Sequence, residues 1–186
     1  MKPTLFPVLA LLFIHSASQA GQIPITDILP PAADLAPGWS SNRVVVLLDP
    51  LSSPTVITNE GPGWLKAAQN VVGTNGCEAF AVLRCFRARG GGLVWIHRYR
   101  SKDAIGEDWG RDKETKMQFK DLPKVGEEVR FYQRHGIHNN IAFRRGCYVI
   151  DVESGGIGPE ALEHLSKLAK VMDDLLIKAD QSGSAK

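Results

Sequence analysis

Much of what would assign this chain to a specialised class is missing. Three cysteines in 186 residues are too few for a disulfide-dense scaffold, and their odd number leaves at least one thiol outside any intrachain bridge. There is no collagen-like glycine period, no heptad seam and no low-complexity tract. No Gly-x-Ser-x-Gly, P-loop or dinucleotide fingerprint occurs, so no nucleophile elbow or phosphate cradle is written in the chain and no cofactor is implied. Charge of one sign is lacking too. The 22 Lys+Arg are set against 20 Asp+Glu, and their mixing excludes a basic arm and any specific nucleic-acid role. Beyond the N-terminus no run approaches the roughly 20 apolar residues of a transmembrane segment.

What is present is the composition of a folded domain, 44% hydrophobic and 23% charged. The N-terminus reads differently. Lys2 supplies a positive start, Leu5 to Ile14 is apolar apart from Pro7, and Ser18 and Ala20 stand where a signal peptidase reads small residues. This pattern predicts a cleaved signal peptide over 1–20, a mature start at Gly21, and a secreted or periplasmic protein. No cysteine follows the apolar run to carry a lipid.

Residues 21–41, with Pro24, Pro30, Pro31 and Pro37, predict an extended leader that docks through Ile25, Ile28, Leu29 and Leu35. Residues 42–180 predict a single domain, and 181–186 a disordered tail. Arg43 to Leu48 is a buried-strand pattern ended by Asp49-Pro50. Thr55 to Thr58 could add a short strand. A helical stripe follows through Trp64, Leu65, Ala68, Val71 and Val72, with Gly73 as its stop. Glu78 to Ala88 and Leu93 to Arg100 predict a hairpin across Gly90-Gly91-Gly92, followed by a helix capped by Ser101. Glu128 to Arg134, Asn140 to Arg144 and Cys147 to Glu153 predict three more strands, the last two joined at Arg145-Gly146. The last helix opens at Pro159 and carries the stripe Leu162, Leu165, Leu168, Met172, Leu175, Leu176. Tight turns in place of crossovers predict an α+β fold: a mainly antiparallel sheet with helices packed on one face, built from two hairpin–helix units at 78–115 and 140–178.

The charge is segregated. Residues 21–83 carry net −3, residues 84–145 net +7 and residues 146–186 net −3, and ten of the eleven arginines lie in the middle segment. Strand alternation groups Arg98 with Arg100 and Arg130 with Arg134; with Arg144 on the helix-free face they would form a patch for carboxylate, sulfate or phosphate. The competing reading is a solvated face on which Asp151 and Glu153 pair with these arginines across strands. Three histidines offer other chemistry. His135 and His138 could share a metal, with Asp49, His97 or Glu153 as a third ligand in space, but the spacing lacks the glutamate and helical pitch of a zinc-protease motif. His97 lies in the aromatic strand Trp95–Tyr99, with no nucleophile or carboxylate marked beside it. Cys85 reads as core; any bridge would be Cys77–Cys85 or Cys77–Cys147.

The segments Asp34-Leu35-Ala36-Pro37-Gly38-Trp39, Tyr99-Arg100-Ser101-Lys102-Asp103-Ala104, Val125-Gly126-Glu127 and Phe143-Arg144-Arg145-Gly146-Cys147-Tyr148-Val149-Ile150-Asp151-Val152 occur in an order that spans most of residues 21–186. In this the chain resembles a group of uncharacterised bacterial exported α+β proteins with a DLPPGW-like start and an FRRGNVVV-like hairpin. It departs from them at Glu127, where they carry Asp, and at Cys147, where they carry Asn. The resemblance implies an envelope or secreted domain and carries no activity with it. The function expected is therefore a non-catalytic module binding an anionic small molecule or an envelope protein. The alternatives are a metal-dependent or hydrolase-like enzyme using His97, His135 and His138, and a self-associating structural subunit.

Overall fold

The structure is a computed structural model that describes residues 22–31, 35, 38–52, 56–57, 62–87, 91–111, 123–134, 138–155 and 159–183. Residues 1–20, expected to be a signal peptide, and His135 lie outside the described residues. One sheet contains β1 (Ser41–Leu48), β2 (Val56–Ile57), β3 (Cys77–Phe86), β4 (Gly91–Tyr99), β5 (Glu128–Arg134), β6 (His138–Arg145) and β7 (Tyr148–Gly155). Its order is β2-β1-β3-β4-β7-β6-β5, and every neighbouring pair is antiparallel. Three helices accompany it: α1 (Pro62–Val71), α2 (Lys102–Arg111) and α3 (Pro159–Gly183). The α+β class, the antiparallel sheet and the two hairpin–helix units, β3-β4-α2 and β6-β7-α3, are all present.

Local chemistry sets the boundaries. After α1 the chain reverses at Gly73, where φ is +90° and an L side chain would be strained; its N–H donates to the Cys77 carbonyl at 2.8 Å. Ser101 Oγ accepts the Ala104 N–H at 3.3 Å and so caps α2. α3 opens on Pro159 and Glu160, suited to a first turn with unpaired N–H groups. It runs on to Gly183, so residues 181–183 are helical and not part of a tail.

Strand alternation divides the core. Ala81, Leu83 and Cys85 of β3, Val94 and Ile96 of β4, Ile150 and Val152 of β7, and Ile141 and Phe143 of β6 pack with Leu165, Leu168, Met172 and Leu176 of α3. Burying each large side chain stabilises the fold by roughly 1.5–3 kcal/mol. The intervening residues pack elsewhere. Val46, Phe80, Val82 and Trp95 meet Trp64, Ala68 and Val71 of α1, while Cys77 and Tyr99 meet Ile105 of α2. The helical layer expected on one face is therefore α3, and the two short helices lie on the opposite face. Neither face of the central strands is helix-free along its whole length.

The leader docks as its apolar residues predict: Ile25 and Ile28 sit in a 3-10 turn and are wholly buried in the α3-side core. Cys77, Cys85 and Cys147 are free thiols, so neither candidate bridge is formed. No helix among the described residues is long and apolar enough to cross a membrane.

Candidate functional site

On the α1/α2 side, ladder register aligns one residue from each of six strands. Arg43 of β1 stands opposite Arg84 of β3, Arg84 opposite Leu93 of β4, Leu93 opposite Glu153 of β7, Glu153 opposite Asn140 of β6, and Asn140 opposite Tyr132 of β5. Residues directly opposite in a ladder share a face and lie within side-chain contact range. Like charges at such a pair, as at Arg43 and Arg84, repel unless other groups offset them, and both arginines make further intramolecular interactions. The Arg43 guanidinium lies 5.5 Å from the centre of the Phe86 ring, which stabilises it there in part.

The same row borders a groove of about 390 Å³, lined by Arg84, Cys85, Phe86, Gly91, Gly92, Leu93, His138 and Glu153. Gly91, which shares parity with Leu93, adds no side chain to it, while Gly92 takes the opposite parity, toward Trp39 of the α3-side core. A Cβ on Gly91 would come within 2.8 Å of the Cys85 carbonyl oxygen, and one on Gly92 within 2.4 Å of the Glu153 carbonyl oxygen. His138 Nδ1 stands 3.5 Å from Glu153 Oε1 on the groove wall. Further along the same face, Asp151 accepts from the Tyr132 hydroxyl and, at 3.1 Å, from the Asn140 amide. Asn140 is wholly buried, and its Oδ1 meets no donor among the described residues.

The five arginines picked from the sequence do not converge. Arg98 is buried on the α3 side, its Nη2 2.8 Å from Asp49 Oδ1. It shares parity with the core residues Val94 and Ile96, so it points into the core region and contributes nothing to a surface patch. Arg100 follows the end of β4 and is exposed. Arg130 and Arg144 lie on the α1/α2 side and share one partner: Arg130 Nη2 is 3.0 Å from Glu128 Oε1, and Arg144 Nε is 3.2 Å from Glu128 Oε2. Burial opposes ionisation of Glu128, but the hydrogen bond from Arg130 and the charges of Arg130 and Arg144 hold its carboxyl below the usual range. The Arg130 guanidinium also stacks 4.0 Å from the centre of the Trp109 ring. Arg134 closes β5 opposite His138, and its side chain lies outside the described atoms. Glu128 and Asp49 also serve as partners of these arginines; Asp151 binds Tyr132 and Asn140 and Glu153 faces His138, and both acids make further interactions.

The histidines are not brought together either. His97 pairs with Val149 of β7 whereas His138 pairs with Gly155. Six residues of extended strand put these positions about 20 Å apart along the sheet. His97 is packed between aromatic rings, 4.9 Å from Phe80 edge-on and 6.3 Å from Tyr99 in a stack. No cluster of three potential metal ligands occurs among the described residues. Sequence reasoning missed Arg43, Arg84 and Leu93. The signal that could have found them is the hairpin register across 84–93, extended to the neighbouring strands.

No family model, no curated protein and no solved structure matches the chain.

Proposed function

We propose that the protein is an exported, non-catalytic binding module of the bacterial envelope that takes an anionic group at the Arg84 end of this groove. The observation that carries the reading is the Arg43–Arg84 register pair on adjacent strands, of which Arg84 lines a concave, partly apolar surface. A volume of about 390 Å³ falls at the small end of the range of small-molecule sites. Arg43 and Arg84 each make further intramolecular interactions, so a ligand shares these groups with the protein. The leader sequence of residues 1–20 supports export.

The test is chromatographic. An Arg43→Ala/Arg84→Ala variant should elute from a sulfonate resin at lower salt than Lys167→Ala/Lys170→Ala. The latter loses the same formal charge from α3, where the lysines already pair with Glu163 and Asp174. Equal elution would sink the anion-binding reading. For export, N-terminal sequencing of protein recovered outside the cytoplasm should begin at Gly21. A chain retained in the cytoplasm with residues 1–20 attached would reject it.

A further inference from the structure

We infer that the Asn75–Gly76 bond is a site of self-modification, deamidation through a cyclic imide, that the folded turn holds shut and that opening of the turn releases. It is the only Asn–Gly pair in the chain. Glycine has no Cβ to shield its amide nitrogen, so Gly76 N is able to attack the side-chain carbonyl of Asn75. In that step the bond between Gly76 N and Asn75 Cγ forms and the Cγ–Nδ2 bond breaks. The side-chain nitrogen takes the proton of the Gly76 N–H and leaves as ammonia. Water then opens the ring at either carbonyl, giving an aspartate or an isoaspartate. Water is the only co-reactant.

The fold opposes the first step. Asn75 is the one non-glycine residue at positive φ among the described residues, +47°, and Gly76 stands at +76°. With the Cys77 N–H donating to the Thr74 carbonyl at 2.9 Å, these angles define a type I′ turn. In such a turn ψ of the first central residue is about +30°. That sets Gly76 N nearly opposite Cβ across the Cα–C bond, whereas ring closure needs the two on the same side. The turn must therefore open before the ring can close. Its surroundings resist opening. The Gly73 N–H donates to the Cys77 carbonyl at 2.8 Å, and the Gly76 carbonyl accepts from the Arg100 N–H at 2.9 Å. Gly76 lies so close to α2 that a Cβ on it would stand 2.8 Å from Ala104 Cβ. Next to it, Cys77 and Tyr99 pack on Ile105 of α2. Docking of α2 thus gates the reaction. An isoaspartate carries Cβ within its main chain, and that longer link does not fit a two-residue turn, so a molecule that has reacted does not close again.

Peptide mapping of the full chain held at pH 8 and 37 °C, folded and in guanidinium chloride, tests this. Isoaspartate at position 75 should accumulate in denaturant, and at least about tenfold more slowly in the folded chain, as for a reaction confined to a locally open minority. Ile105→Ala removes packing beneath α2, so it should raise the folded-state rate and leave the rate in denaturant unchanged. Should that variant fail to fold, the two states of the unaltered chain decide the matter alone. Equal rates folded and in denaturant would overturn the gate. Absence of isoaspartate in the denatured chain, over a time in which a synthetic peptide of residues 72–79 reacts, would overturn the site itself.

Discussion

Arg98 and Asp49 form an ion pair of 2.8 Å with side chains 1% and 0% exposed, beneath the leader and not on a surface. The Ile23 carbonyl accepts from Arg98 Nη1 at 3.2 Å and from the Tyr148 hydroxyl. Asp49 in turn accepts from the Ile25 N–H at 2.7 Å, the Leu51 N–H at 2.9 Å and the Ser52 hydroxyl at 2.7 Å. The pair thus fastens residues 23–25 to the ends of β1, β4 and β7. Removing one partner of a buried pair strands the other charge. Arg98→Met should therefore lower unfolding free energy by about 3–5 kcal/mol, and Tyr148→Phe by about 1 kcal/mol. Urea titrations of both variants measure this; an Arg98→Met variant as stable as the parent would refute the role of the pair.

Acid should release the same fastening. Burial works against an ionised Asp49, but the Ile25 and Leu51 N–H groups, Ser52 and Arg98 outweigh it and hold the carboxyl below its ordinary value of 3.8. A depressed native pKa gives stability that is complete above the unfolded value and disappears as pH falls through the native one. The Asp49 contribution should thus be constant from pH 7 to about pH 5 and decline below about pH 4. Melting temperatures across that range, compared with Asp49→Asn, read it directly. The variant should lose this share of the acid slope, and an unchanged slope would count against the assignment.

Thiol reactivity should rank by burial. The Cys85 thiol is pushed up to about 12 by burial, and burial is also the leading cause that raises half-buried Cys147. Thiolate is the reacting form. Iodoacetamide at pH 8 should therefore label Cys147 first in the folded chain and reach Cys85 only after unfolding. Peptide mass mapping over time gives the order, and early labelling of Cys85 would contradict its placement in the core.

Gly92 is required by close approach. A Cβ there would come within 2.4 Å of the Glu153 carbonyl oxygen and 2.8 Å of Trp39 Cη2. Backbone cannot yield as a flexible side chain does, so Gly92→Ala should cost about 1–3 kcal/mol and shift tryptophan emission. Gly63 has open space at its Cβ position and serves as the control; equal effects at both glycines would reject the contact.

Much of the fold is written locally. β5 has the bounds its sequence pattern predicts, and the apolar stripe of α3 buries Leu165, Leu168, Met172 and Leu176 against the sheet. The candidate site was less legible. In β4 both parities are apolar, Leu93, Trp95 and Tyr99 on one side and Val94 and Ile96 on the other, because helices cover both faces. Hydropathy alternation therefore gave no way to tell which side Arg98 would take. The groove has no local signature either, since Arg84, Leu93 and Glu153 meet only through the β3–β4 and β4–β7 registers.

The amino-acid order alone determined the strands, the helices, the hairpin turns and the docking of Ile25 and Ile28, since periodicity and turn chemistry act over a few neighbours. Only the tertiary structure decided that Arg98 would be enclosed with Asp49 while Arg43 and Arg84 pair in register and Arg84 lines a groove. Pairing across a sheet joins residues far apart in the chain, and the side from which each helix covers that sheet sets which of its charges stay in water.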